Sequence, residues 1–115
     1  MPATQSLTKA YQAKFQDIIS YPAASSYIMT RMIILAIEKA KSLDPTAVAK
    51  AMEKMEWDGL TGKESMQAFD HQTNKAYYLL VAKQKKDIKG PGDLATVISS
   101  GRSLIPESST ECRMK

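Results

Sequence analysis

Apolar positions cluster most densely between Ala23 and Ser42, in AASSYIMTRMIILAIEKAKS, a stretch of twenty residues without Gly or Pro. Opened by Pro22 and two serines, it reads as one helix of ~30 Å at ~1.5 Å rise per residue. Met32 to Ile37 are apolar at six consecutive positions, so no single narrow stripe can bury the helix. Arg31, Glu38 and Lys41 mark its one wet edge, and a helix apolar almost all round requires neighbours on several sides. Arg31 and Glu38 bracket the run, which falls far short of the ~18 uninterrupted apolar residues of a membrane span.

The remaining pattern supplies candidate neighbours. Between Ser6 and Ile19, Leu7, Tyr11, Phe15 and Ile18 recur at helical spacing with Lys9, Lys14 and Asp17 opposite, which predicts a short amphipathic helix with Ser6 as N-cap. Pro22 biases the residue before it toward extended backbone and so separates the two helices. Asp44 as N-cap and Pro45 in the first helical position open a third helix through Glu56, with Val48, Met52 and Met55 on one face. The short link between the second and third favours an antiparallel hairpin.

The helical period stops at Trp57-Asp58-Gly59-Leu60-Thr61-Gly62, where Asp-Gly and Thr-Gly are turn pairs. Glu64 to Phe69 fits a short strand, and Asp70 to Asn74 a polar connection. Ala76 to Ala82 is apolar or aromatic at every position, a pattern suited to a strand covered on both faces. Gly90-Pro91-Gly92 breaks the chain, and Asp93 is positioned to cap a short helix, LATVISS, ending at Gly101. The last dozen residues read as an irregular tail.

This gives an α/β inventory with a helical part over 6–56, a strand part over 63–83 and a tail over 103–115, in one domain that looks incomplete. Two strands, one of them wholly apolar, cannot cover each other on both faces and both edges. An apolar strand with an open edge invites pairing with another chain, so a homo-oligomer through that edge is expected.

Composition narrows the function classes. The chain has 115 residues, 43% of them apolar and 24% charged, ordinary values for a soluble globular domain. No charged-then-apolar leader opens it, so a secretory signal is expected to be absent or already removed. Cys112 is the one cysteine; it cannot form an internal disulfide, although it could pair outside the chain. The net charge is +4, and the excess sits in one segment, where Lys75, Lys83, Lys85, Lys86 and Lys89 meet a single acid, Asp87. Without arginine or interleaved aromatics, such a loop reads as a solvated turn and not as a phosphate track.

No catalytic or metal constellation assembles. His71, the one histidine, is flanked by Asp70 and Gln72; on an extended segment neighbouring side chains point to opposite sides, so the pair makes no dyad. A lone histidine is not a metal site. Cys112 lacks an adjacent base, and Gly90, Gly92 and Gly101 have no phosphate-cradling spacing. Met29, Met32, Met52 and Met55 read as core filling, and Glu53 and Glu56 as a solvated pair on one helix face. Tyr21 and Ser25 stand at the entrance of the long helix, where unpaired N–H groups and the dipole favour an anionic or polar ligand. A packing (staple) role for Tyr21 and a helix-cap role for Ser25 are the favoured explanations at this level.

In order, the run YPAASSYIMTRMIILAIEKAKSLDPTAVAKAMEKMEWDGLTG, then FDHQTNKAYYLLVAK, then a tail ending ECRMK resembles the C-terminal region of a type I periplasmic solute-binding protein. It looks like a member of the branched-chain amino-acid (Leu/Ile/Val) ABC-transporter branch. The likeness covers roughly Leu7 to Lys86. It rests on Tyr27 near the start of a helix ending Ala-Ile-Glu-Lys-Ala, the Asp-capped helix with Val48 and Met52, the Asp-Gly-x-Thr-Gly turn, and Asp70-His71-Gln72 before an apolar strand.

The resemblance implies two α/β lobes joined by a three-stranded hinge and closing on a small solute. The three helices would layer one lobe, and the strands near Met66 and Leu79 would lie near the hinge. It places a ligand contact at or next to Tyr21, with Ser25 behind it. It further implies a branched-chain amino acid or related small carboxylate as solute, a membrane permease as partner, a periplasmic location, and neither catalysis nor a cofactor. The alternative is a stand-alone α+β interaction module. Nucleic-acid binding through Lys83 to Lys89 is a third class, which salt-dependent binding would reveal.

Overall fold

A computed structural model describes residues 2–102 and 105–112. Three helices, α1 (Pro2–Phe15), α2 (Tyr21–Ala40) and α3 (Pro45–Met52), precede five strands, β1 (Glu56–Gly59), β2 (Gly62–Met66), β3 (Thr73–Asn74), β4 (Ala76–Ala82) and β5 (Ala95–Arg102). Ser103, Leu104 and Arg113 to Lys115, parts of the expected tail, lie outside the described residues; between them the chain makes one 3-10 turn at Glu107–Ser109.

The long helix has the expected length but starts two residues early. Its N-cap is Ser20, in extended backbone, whose hydroxyl accepts from the Ala23 amide at 3.4 Å; Lys41 ends it in the left-handed region. α1 begins at Pro2, not at Ser6, and stops at Phe15, where Gln16 takes φ 55°; Ile18 falls outside the helix. α3 opens as expected, with the Asp44 carboxylate accepting from the Ala47 amide at 2.8 Å. It ends four residues short of Glu56 because Glu53 leaves helical geometry and Lys54 takes φ 56°. Glu53 and Glu56 therefore share no helix face.

Beyond that kink the chain becomes β1, a strand the helical spacing of Met55 had concealed. β1 and β2 form a hairpin with Gly59 opposite Gly62 and Leu60-Thr61 as its turn. Gly62 takes φ 103°, a conformation that favours glycine. β2 ends at Met66, so Ala68 and Phe69 lie in a turn, and the supposed polar connection contributes β3, which pairs with β2. The expected helix after Asp93 is instead β5, antiparallel to the whole of β4 from Ala76–Arg102 to Ala82–Ala95, with an irregularity at Leu79/Leu80. β-Branched Thr96, Val97 and Ile98 suit a pleated partner strand better than a helix. Asp93 closes the connecting loop: its carboxylate accepts from the Lys83 ammonium and from the Lys89 amide. These two bonds, the Lys83 one first, hold the Asp93 carboxyl below its ordinary range.

The core is small. Ala36, Val48, Met55, Trp57 and Met66 are buried, with Met32, Leu35, Ile37, Ala40 and Met52 packed around them. α2 thus finds neighbours on one side, α3 and the hairpin, while Met29, Ile33 and Ile34 remain exposed. β4 keeps its expected residues but not its expected cover, since Tyr77 to Val81 are all exposed. The chain presents 8614 Å² of surface, against ~6,200 Å² for a folded monomer of its mass. Its radius of gyration is 17.0 Å, against ~13 Å for a compact domain of this length.

Polar braces join the parts. The Thr4 hydroxyl donates to the Leu60 carbonyl at 2.7 Å, and Arg31 to the Asp58 carbonyl at 2.9 Å. Arg102 bridges the sheets, donating to Asn74 Oδ1 at 3.0 Å and to the Lys63 carbonyl at 2.6 Å.

Candidate functional site

The first three turns of α2 form one wall of a groove. Tyr21, Ser25, Ile28, Met29 and Met32 recur at helical spacing and share the groove with Trp57, Glu64, Met66 and Thr73 of the three-stranded sheet and with His71 and Lys75 beside it. The groove holds about 490 Å³, and a second of about 420 Å³ continues from it past Leu60 and Thr61 to Tyr78, Leu80 and Val97. Both volumes lie in the range of small-molecule sites, ~300–1,000 Å³.

The structure brings Tyr21 and Ser25 together on both grooves. Tyr21 is the first residue of α2 and 78% exposed, so it does not serve as a packing staple. Ser25 is half-buried one turn further on, and the capping role belongs to Ser20. The capping role thus falls to another residue, and the exposure of Tyr21 leaves it little packing of its own.

The floor is organised around Glu64, which is 1% exposed. Its Oε2 accepts from Trp57 Nε1 at 3.1 Å; its Oε1 accepts from the Thr61 hydroxyl at 2.7 Å and from the Thr61 amide at 3.3 Å. A buried carboxylate needs such donors to offset its lost hydration. Trp57 and Glu64 are direct cross-strand partners. Gly59 makes room for the arrangement, since a Cβ there would lie 2.0 Å from Glu64 Cδ. The sequence Trp-x-Gly-x-Thr-x-x-Glu is thus one device, of which the turn pairs alone stood out in the sequence.

His71 takes φ 55°. Its Nε2 is buried without a hydrogen-bond partner and lies 3.5 Å from Glu53 Oε1. The Asp70 carboxylate turns away from it, accepting from Gln67 Nε2 and the Gln72 amide. Cys112 is exposed, remote from the groove-lining residues in sequence. Among the described residues no group of three or more His, Cys, Asp or Glu could hold a metal ion, and no helix is long and apolar enough to cross a membrane.

Comparison with known proteins gives a consistent result. A family model described as periplasmic binding protein matches residues 1–87. An amino acid ABC transporter substrate-binding protein from Pseudomonas fluorescens superposes with a TM-score of 0.88 at 42% identity, over 96% of this chain and 30% of that one. A periplasmic binding protein from Burkholderia mallei shares the fold at 23% identity and a TM-score of 0.85, with the same coverages of 96% and 30%. An ABC-type branched-chain amino acid transporter protein from Rhodopseudomonas palustris does so at 24% identity and 0.71, over 87% of this chain and 26% of that one. The chain spans about 30% of the length of the first two structures. No curated protein matches it in sequence.

Proposed function

The chain belongs to the periplasmic binding protein family, and on that premise we propose that it is the C-terminal part of an extracytoplasmic solute-binding protein of an ABC transporter. The intact protein binds a branched-chain amino acid or a related small carboxylate and delivers it to a membrane permease. It works in the periplasm, and its action is binding and lobe closure without catalysis. The solute favours the closed state because it contacts both lobes.

The observation that carries this reading is the groove at the start of α2, with Tyr21 and Ser25 on its rim and a mostly apolar lining. It has the size for a small solute but is open on one side, as one wall of a cleft is. Support for an amino-acid solute comes from the Pseudomonas fluorescens protein, which at 42% identity is named for that substrate class. The exposed β4–β5 ribbon fits the same reading: the rest of the fold covers it in the intact protein. A second copy covers it when the 115-residue chain stands alone.

Titration of the chain with leucine, isoleucine and valine, followed by backbone NMR shifts, tests the proposal. Binding in the millimolar range is expected, with shifts concentrated at Tyr21, Ser25 and Trp57, and Tyr21→Ala is expected to weaken it about tenfold. Shifts absent from this wall, or unchanged by Tyr21→Ala, would contradict the assignment.

A further inference from the structure

We propose that Lys75 anchors the carboxylate of the solute, an assignment that rests on the groove being the solute site. Pairing of β2 with β3 sets Ser65 against Asn74 and Met66 against Thr73. Lys75 follows directly on Asn74, the last residue of β3, and Glu64 faces Trp57 across the hairpin. Trp57, Glu64 and Lys75 all line the larger groove.

Glu64 and Lys75 share the groove without forming an ion pair. Glu64 is closed in by Trp57 and Thr61, and the ion pairs among the described residues leave Lys75 out. Among the described lysines Lys75 and Lys83 are the half-buried ones, and the others are exposed. Lys83 has the Asp93 carboxylate as its partner. The Lys75 ammonium has the face of Tyr77, at 5.4 Å from the ring centre. A charge-assisted hydrogen bond to a carboxylate outweighs that cation–π contact at a partly exposed site. A long flexible stem lets the ammonium reach from the ring to the groove. The apolar wall of Ile28, Met29 and Met32 then receives the hydrocarbon part of the solute, while Tyr21 and Ser25 meet its polar end from the opposite side.

The test titrates the 115-residue chain and its Lys75→Met and Lys75→Arg variants with L-leucine and with L-leucinamide, which keeps the side chain and lacks the carboxylate. Lys75→Met is expected to weaken leucine binding about tenfold or more. Lys75→Arg should retain most of it, and leucinamide should bind weakly and equally to all three proteins. Leucine binding unaffected in Lys75→Met but lost in Tyr21→Ala would overturn the role of Lys75 and leave the solute site standing. No NMR shift of the wild-type chain at tens of millimolar leucine would overturn both.

Discussion

Trp57→Ala is expected to abolish cooperative unfolding of this chain. Trp57 is 5% exposed and packs among Ala36, Val48, Met55 and Met66, the entire buried cluster. Truncating a buried tryptophan costs about 3–5 kcal/mol, and here it also removes the indole N–H that donates to Glu64. A domain holds in total about 5–15 kcal/mol, and a chain with so much uncovered surface sits at the low end. Urea titration followed by far-ultraviolet circular dichroism should show a broad, early transition. Trp57→Phe separates the two contributions, because it keeps most of the packing and loses the donor, at about 1–3 kcal/mol. A midpoint in Trp57→Ala equal to that of the wild type would show that the hairpin is not part of the core.

Gly59→Ala is expected to be nearly as damaging. The added Cβ would meet Glu64 Cδ at 2.0 Å and its two oxygens at 2.2 and 2.4 Å. Glu64 cannot retreat, being enclosed and held by three hydrogen bonds. The expected loss is about 3 kcal/mol, the upper range for overpacking. Because the clash is with one side chain, Glu64→Ala should relieve it. The double variant is then more stable than the sum of the two single losses predicts, by a coupling of about 1–3 kcal/mol. Additive losses would mean that Gly59 is needed for something other than room for the carboxylate.

The parts of the fold that can be read from the sequence are those fixed by local chemistry. Asp44-Pro45 marks the start of α3 to the residue, because cap and first-turn proline act within one turn. The apolar run of α2 declares a long helix, and Ala76 to Ala82 declares β4. Errors arise where distant pairing decides. Asp93 followed by Leu94 and Val97 satisfies a helix template, but β4 offers a full-length partner with which Thr96, Val97 and Ile98 pair as β5. Met55 extends the spacing of Val48 and Met52, yet its amide donates to the Met52 carbonyl in a tight turn and the chain then enters β1.

The site divides in the same way. Tyr21 and Ser25 are visible because the start of a long helix is a chemical landmark. Glu64 and Lys75 are eleven residues apart in sequence and come to line one groove only in the folded chain. Composition places Lys75 with the basic loop, and nothing local distinguishes it from Lys85 or Lys86. The shortage of cover, by contrast, was apparent from composition of the strands alone: an all-apolar β4 needs two faces of cover and receives neither.

That shortage is the physical basis of the whole account, and solution mass and size test it directly. Multi-angle light scattering coupled to size-exclusion chromatography, run over a rising concentration series of the 115-residue chain, should give a mass of at least twice 12.7 kDa. Lysine substitutions at Tyr77, Leu79 and Val81 should return it to the monomer. A stable monomer at every concentration, with a radius of gyration near the ~13 Å of a compact domain, would mean that the chain hides its apolar ribbon by itself and would contradict the account.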